Sequence, residues 1–455
     1  MITDSQGHAL SGAQAGATEA YEQAVRAFQL YRGDPMGSLE QAITTAPQFA
    51  MAHILQAHLL ALATEPACVL MAQEALGRLR HMPLNERETS HVAVIEKVLQ
   101  GEWTEAALAM DQHNLQHPYD IVALQAGHLM DFYRANARNL RDRLARVLPH
   151  WCSDMPGHSI VLGMYAFGLE ECGDHARAEA IGREALDREP LDCWAHHAVA
   201  HVMEMQGRAE DGVGWMLTRE PFWSGDDNFF KVHNAWHGAL CYLDLGQTTA
   251  VLALYDNVVR KTPSAVALDL VDASALLWRL HLAGVDVGER WAEVAQTWDA
   301  HADGKLYPFN DWHAVMAYLG AGREQDVQRL RDAMRNASGT CEVSRWALEI
   351  GHDLVEGFVA HWRGEHDRAV QHLFRGRHIA NRFGGSHAQR DIIDWTLTDA
   401  ALRAGQRGMA EALAHERLAL KPHSPVNRDM LRRARTMGSV AAPVKAGAKA
   451  KLSLA

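Results

Sequence analysis

The side chains in this sequence that could do chemistry are histidines, and they recur about one helix upstream of successive turn glycines. His197 and His201 are spaced i, i+4, and His233 and His237 repeat that spacing further along the chain. Residues four apart share one face of a helix. Neutral imidazole binds Zn, Fe, Ni and Cu. The pattern therefore predicts a site for a divalent metal ion, Zn or Fe, with these four histidines as its ligands.

Further polar residues accompany these histidines along the chain. Glu204 follows His197 by seven residues and shares its helical face, which indicates a metal ligand or a general base. His237 and His313 each precede a turn glycine by nine residues, and we expect both to act with Glu204 in catalysis. The side chains expected to contact a substrate are Trp236, Asp272, Ser274, Asp311 and Arg390.

Several of these side chains also have structural interpretations. Ser274 could be a small residue that lets two helices pack closely. Asn310 or Asp311 suits the N-cap of its helix, because a side-chain oxygen accepts from the free N–H groups of the first turn. Arg390 could pair with a neighbouring aspartate behind an N-cap at Ser386, and Trp236 could simply fill space in the core.

Three functions for the histidines follow from the residues alone. A bound metal could activate water, which would make the protein a hydrolase acting on a small polar molecule. A metal-free polar pocket could bind or convert such a molecule by acid–base chemistry. Alternatively, buried histidines could hold helices together. A non-enzymatic scaffold that binds a peptide or protein segment in a concave groove is the main alternative to a small-molecule site.

The elements that must position these residues are helices. Apolar residues recur at i, i+3, i+4, i+7 through long windows, which indicates helix almost throughout. Turn glycines follow at steps of 34 to 42 residues, each between an apolar helix and an alanine-rich one; they are Gly173, Gly207, Gly246, Gly284, Gly322, Gly364 and Gly405, with Gly101 in an earlier unit. This period predicts an all-α solenoid of tetratricopeptide-like helix-turn-helix repeats, able to curl around a concave central pocket.

Composition limits the classes of function that the protein can have and indicates where its domains begin and end. The net charge of −12 argues against non-specific nucleic-acid binding, and no apolar run is long enough to cross a membrane. The six cysteines form no C-x-x-C pair, and no signal peptide is indicated, so we expect a cytoplasmic protein with reduced thiols. We expect a flexible segment over 1–17, the solenoid over 18–437 and a disordered basic tail over 438–455.

The motifs also resemble a known family, the tetratricopeptide repeat protein 38 family. The similarity is ordered and covers roughly residues 190 to 430, with a weaker N-terminal continuation. It implies an all-helical repeat fold in a cytoplasmic protein, and it supplies no reaction. The motifs that carry it are AHHAVAH at 195–201, HNAWHGAL at 233–240, LVDAS at 270–274, GVDVGERW at 284–291, FNDWH at 309–313, GGSHAQRD at 384–391 and LKPHSP at 420–425.

Overall fold

A computed structural model describes residues 2–378 and 380–437 of the chain, and these residues are almost entirely helical. Extended backbone pairs within them only at the isolated bridges Thr3–Ala9 and Arg32–Asn228. Short 3-10 turns occupy Leu148–His150 and Ala380–Arg382, and π-helical turns occupy Tyr255–Val259 and Ala347–Gly351. The α-helices are α1 Ala15–Leu30, α2 Pro35–Thr45, α3 Ala50–Ala61, α4 Pro66–Leu79, α5 Glu86–Leu99, α6 Trp103–Gln116, α7 Ile121–Tyr133, α8 Ala137–Val147, α9 His158–Glu171, α10 His175–Arg188, α11 Cys193–Met205, α12 Ala209–Trp223, α13 Lys231–Asp244, α14 Thr248–Leu254, α15 Ala267–Leu282, α16 Arg290–Trp298, α17 Pro308–Gly320, α18 Glu324–Arg335, α19 Glu342–Trp346, α20 His352–Trp362, α21 His366–Arg377, α22 His387–Arg403, α23 Arg407–Leu420 and α24 Pro425–Thr436.

The predicted turn glycines each join two antiparallel helices of one repeat. All of them adopt φ between 68° and 79°, a left-handed conformation that a side chain would disfavour. The turn between α7 and α8 uses Ala135 at φ 53° instead, and Thr64 takes φ 58° between α3 and α4. The helix pairs stack in chain order, so the protein is an α-solenoid of tetratricopeptide-like repeats, as the period predicts.

The two helices of a repeat occupy different layers. Every residue of α11 is buried, and so are nearly all residues of α15 and α17. The partner helices α10, α12 and α18 bury only a narrow face. Helices that are buried on all sides form the interior of a helical array. The first helices of successive pairs therefore make the inner layer, and the histidines lie on them.

The solenoid curls until late repeats touch early ones. The backbone N–H of Phe229 donates to the carbonyl of Tyr31 at 2.8 Å, and that of Gly384 donates to the carbonyl of Tyr133 at 2.7 Å. The Asn310 side chain donates to the carbonyl of Thr64 at 3.0 Å. These contacts join segments far apart in sequence and close the concave side.

The expected boundaries of the solenoid, at residues 18 and 437, can be compared with the ends of the described helices. α1 begins at Ala15, before the expected start of the solenoid at 18. Within the preceding segment, Asp4 pairs with Arg87 at 3.1 Å, and the carbonyl of Ser11 accepts from the N–H of Ala50. The expected tail over 438–455 lies outside the described residues. Among the described helices, none combines the length and the apolar character needed to cross a bilayer.

Candidate metal centre and adjoining cavity

Four imidazoles from two neighbouring inner helices converge on one point. His197 and His201 come from α11, and His233 and His237 come from α13. One ring nitrogen of each lies within 4.8 Å of those of the other three. His197, His201 and His237 are fully buried, whereas His233 retains slight exposure. The i, i+4 spacing on each helix and the stacking of consecutive repeats bring all four side chains together.

Three of the Nε2 atoms form a tight triangle. The His197–His233 distance is 2.9 Å, the His197–His237 distance is 3.1 Å and the His233–His237 distance is 3.3 Å. A tetrahedral Zn²⁺ ion with Zn–N bonds of about 2.0–2.1 Å has ligand atoms roughly 3.3 Å apart. The His201 imidazole lies beside this triangle, edge-on or tilted to its neighbours, with its ring centroid 4.3 Å from that of His197 and 4.4 Å from that of His237.

Carboxylates on the flanking inner helices approach two of the imidazoles from behind. Nδ1–H of His233 donates to Oδ2 of Asp272 on α15 at 2.8 Å. Nδ1 of His201 lies 3.3 Å from Oε2 of Glu170 on α9. Histidines that bind metals usually donate their second ring N–H to a carboxylate or carbonyl, which fixes the tautomer and the ring orientation. The contact with Asp272 therefore holds the His233 ring with its Nε2 facing the triangle.

Aromatic rings pack against two of the imidazoles. Phe167 stacks on His197 with ring centroids 5.1 Å apart, and Trp236 stacks on His233 at 5.4 Å. Burial and the neighbouring imidazoles hold the pKa of both His197 and His237 well below the usual value of 6.5. Both rings are therefore neutral at pH 7, which is the form that can bind a metal.

A cavity of about 370 Å³ adjoins the centre. His197, His233 and Asp272 form its polar end. The rest of the wall is mainly apolar and comes largely from the N-terminal repeats, with Phe28, Met36, Leu59, Leu60, Leu129, Phe132, Trp194, Phe230 and Leu268 among its residues. The sequence predicts a site for a small polar molecule; the cavity beside these histidines is instead mostly hydrophobic.

Glu204 faces away from this cavity. Its carboxylate forms an ion pair with Lys421 Nζ, and both side chains are buried. Glu204 lines a separate, much smaller void together with Arg279, Asp391 and Arg417. The structure thus places the expected ligand or general base in a charge network that ties the C-terminal repeats to α11. The carboxylate that does approach His201 is Glu170, which the helical spacing did not single out.

The other predicted catalytic and substrate residues are spread over the inner layer. His313 donates Nδ1–H to the carbonyl of Phe309 at 2.7 Å and does not belong to the four-histidine cluster. Ser274 Oγ accepts from Trp298 Nε1 at 2.9 Å and is fully buried, as its packing interpretation requires. Trp236 lies against the cluster through its stack on His233. The catalytic role of His313 and the substrate contact of Ser274 stay predictions.

Asp311 and Arg390 make local contacts. The helix that carries Asp311 begins at Pro308, so the expected N-cap at Asn310 or Asp311 is wrong: proline starts the helix earlier because its fixed φ suits the first turn. Asp311 Oδ1 instead accepts from the N–H of Gly304 at 2.9 Å. Arg390 donates to the carbonyl of Gly384 at 3.1 Å, behind an N-cap at Ser386.

A second group of buried histidines lies in the N-terminal repeats and was not expected from the sequence. Nε2 of His91 and Nε2 of His113 lie 3.0 and 3.2 Å from Oδ2 of Asp120. Arg87 donates to the same oxygen at 3.0 Å. Because a guanidinium already neutralises this carboxylate, the group is a buried ion-pair network that holds α5, α6 and α7 together. The high histidine count was the available signal.

No family model matches the chain. Among solved structures, it is similar to a chain in the crystal structure of the APC/C hetero-tetramer Cut9–Hcn1, with a TM-score of 0.43 and 15% sequence identity. That alignment covers 92% of this chain and 76% of the other. A likeness this distant carries no information on function.

Proposed function

We propose that the protein binds one divalent transition-metal ion, Zn or Fe, through His197, His201, His233 and His237, and uses it to hold a small molecule. The observation that carries this proposal is the triangle of Nε2 atoms at 2.9–3.3 Å. Supporting features are the neutral state of the buried imidazoles and the carboxylate behind His233.

Hydrogen bonding alone does not account for this triangle. A ring nitrogen that carries a proton has no lone pair, and one that lacks a proton cannot donate. In the tautomer in which His233 donates through Nδ1 to Asp272, its Nε2 can only accept. If His197 and His237 both donate to it, their own N–H groups oppose each other at 3.1 Å. If either of these two rings lacks a proton on Nε2, its lone pair faces the lone pair of His233. A shared cation removes the conflict in every case.

The centre also has a direction in which it could receive a ligand. His197 and His233 both line the cavity, so one side of the ion would face it. Catalytic zinc sites with three protein ligands keep such a position for water or substrate, and with four histidine ligands a bound oxygen donor would make the ion five-coordinate. A hydrolytic role would use metal-bound water as the nucleophile. Membership of the tetratricopeptide repeat protein 38 family belongs to this proposal too, since several of its motifs surround the centre.

A scaffold that binds a peptide or protein segment is the second candidate. Stacked helix pairs form extended concave surfaces, and the repeat fold itself supports this role. An extended peptide needs an open groove, whereas the contacts of Phe229 with Tyr31 and of Gly384 with Tyr133 close part of the concave side. The enclosed cavity favours a small molecule because ligand pockets typically span about 300–1,000 Å³.

The metal proposal is tested by elemental analysis of the full-length protein, both as purified and after chelation and reloading with Zn²⁺ or Fe²⁺. We expect one metal ion per chain. Added Zn²⁺ should also raise the Tm of the chelated protein, because the ion binds the folded state preferentially. The proposal is overturned if the reloaded protein holds no stoichiometric metal and its Tm does not change when either ion is added.

Matched variants separate metal binding from folding. His197→Ala and His237→Ala each remove one corner of the triangle and should weaken Zn²⁺ binding by more than about 100-fold. His313→Ala removes an equally buried histidine outside the cluster and should keep full metal stoichiometry. If the three variants lose stability to a similar degree and none loses metal, the histidines only hold helices together.

A further inference from the structure

We propose that the cavity beside the four-histidine centre binds a small, mainly apolar molecule whose single oxygen-donor group binds the metal ion. This inference rests on the proposed metal site and adds the chemical class of its ligand. Candidate compounds carry an acyl chain or an aromatic body with a carbonyl, carboxylate or hydroxamate at one end.

The cavity wall determines the apolar part of the ligand. Phe28, Leu60, Phe132, Trp194 and Phe230 bury most of their surface, and their side chains face a common space of about 370 Å³. A polar body would lose its hydration there without hydrogen bonds in return. An apolar one gains roughly 0.8 kcal/mol for each methylene removed from water.

Most of the charged and amide side chains along the wall are already engaged. Arg32 pairs with Asp227 at 3.0 Å, Glu65 accepts from the N–H of Ala267 at 2.9 Å, and Asp272 accepts from His233. Gln389 closes the capping box of α22. With these charged groups paired, the metal ion at the His197–His233 end is the strongest remaining attraction for a polar group on the ligand, ahead of Tyr31 Oη and Trp194 Nε1, which line the cavity and lack a hydrogen-bond partner.

The cavity also reaches the surface. Gly33 and Phe229 are exposed, and Met36 and Leu268 are half-buried. Gly33, Met36 and Phe229 lie where the α1–α2 turn meets the segment before α13, and the hydrogen bond from Gly33 N–H to the Asp227 carbonyl at 2.8 Å bridges one edge of this opening. A ligand would enter between these residues and place its oxygen-donor end at the metal.

The test uses alkyl hydroxamates as probes, titrated by calorimetry into the zinc-loaded full-length protein. Acetohydroxamate and octanohydroxamate share one metal-binding group and differ only in chain length. We expect affinity to rise about fourfold per methylene, so that the octyl probe binds more than 100-fold tighter. Equal affinities for the two probes overturn the inference. The chelated protein should bind octanohydroxamate at least tenfold more weakly than the loaded protein, and equal binding overturns the role of the metal.

Two variants narrow the cavity away from the metal. Ala63→Phe and Met36→Trp add bulk at half-buried lining positions, and Ala292→Phe adds it on the exposed face of α16. The first two should abolish the chain-length effect and keep one zinc per chain, while the third should change neither quantity. Zinc stoichiometry reports the proposed function and chain-length dependence reports this inference, so their failures are distinguishable. A chain-length effect that persists in both lining variants places the probe elsewhere and overturns the inference.

Discussion

Nδ1 of His233 lies 2.8 Å from Oδ2 of Asp272, across the junction between two consecutive inner helices. The contact fixes the tautomer of the imidazole that both completes the Nε2 triangle and faces the cavity. One carboxylate thus couples the geometry of the candidate metal centre to the stacking of α13 on α15.

Removing the charge of this carboxylate should weaken metal binding while leaving all four imidazoles in place. Asp272→Asn cannot accept the same charge-assisted hydrogen bond, and loss of such a partner typically costs about 10- to 100-fold in metal affinity. Competition with a chelator measures the Kd for Zn²⁺ and so tests the expected loss of affinity directly. Asp269→Asn, one turn earlier on the same helix and also beside the cavity, is the matched control and should change the Kd less than threefold. Equal losses in the two variants would refute a specific role for Asp272.

The buried ion pair between Lys421 and Glu204 should show strong coupling. Lys421→Met leaves the Glu204 carboxylate buried with no lysine beside it, which should lower the free energy of unfolding by about 3 kcal/mol or more. Adding Glu204→Gln should recover part of that loss, because the unpaired charge is gone. Urea denaturation of the two single variants and the double variant measures the coupling. For comparison, Arg188→Met breaks the exposed pair with Glu184 and should cost less than about 1 kcal/mol. Simple additivity of the two buried substitutions would contradict the prediction.

Asp311 should make stability depend on pH. Burial raises the pKa of its carboxyl to about 8, whereas an unfolded aspartate titrates near 3.9. Between these values the folded state holds a proton that the unfolded state has released, so the wild type loses stability as pH rises, by up to about 1.4 kcal/mol per pH unit. Asp311→Asn removes this dependence and can still accept from Gly304. The Tm of the variant relative to the wild type should therefore climb steadily from pH 5 to pH 8. A constant difference over that range would show that Asp311 does not titrate in this way.

Two glycines inside helices should respond oppositely to alanine. A Cβ at Gly168 on α9 would lie 2.5 Å from the backbone nitrogen of Arg141 on α8, so Gly168→Ala should cost about 2 kcal/mol or more. Gly214 on α12 is exposed with nothing within 4 Å of such a Cβ. Gly214→Ala should instead stabilise the protein by up to about 1 kcal/mol, through helix propensity alone. Chemical denaturation of both variants checks the pair, and a destabilised Gly214→Ala would be the unexpected result.

Local periodicity explains how much of the molecule could be predicted. The glycine steps predict the helix pairs, and the i, i+4 spacing of His197 with His201 predicts a shared face. Convergence with His233 and His237 follows because consecutive repeats stack at a nearly constant distance. The prediction for Glu204 used the same helical face and missed its ion pair, because its partner Lys421 lies 217 residues away.

The apolar wall of the cavity could not be predicted either, because its residues also lie far apart in the sequence. Its wall combines residues of the first repeats, such as Met36 and Leu59, with His233 and Leu268 of the middle repeats. No periodic signal within one repeat encodes how far the array curls. The N-cap prediction failed for a local reason. An aspartate early in a helix resembles an N-cap, but Pro308 comes before Asp311 and starts the helix itself.

The contact between Asn310 and Thr64 spans 246 residues and has a consequence for how the chain unfolds. Open repeat arrays can lose terminal units one at a time, since each unit touches only its neighbours. Here the early helices contact later ones, so deleting α1 and α2 would also remove the hydrogen bonds that hold the segment before α13 in place. We therefore expect this chain to melt as one cooperative unit, and to fold more slowly than a linear array of equal length because repeats far apart in the sequence must first meet.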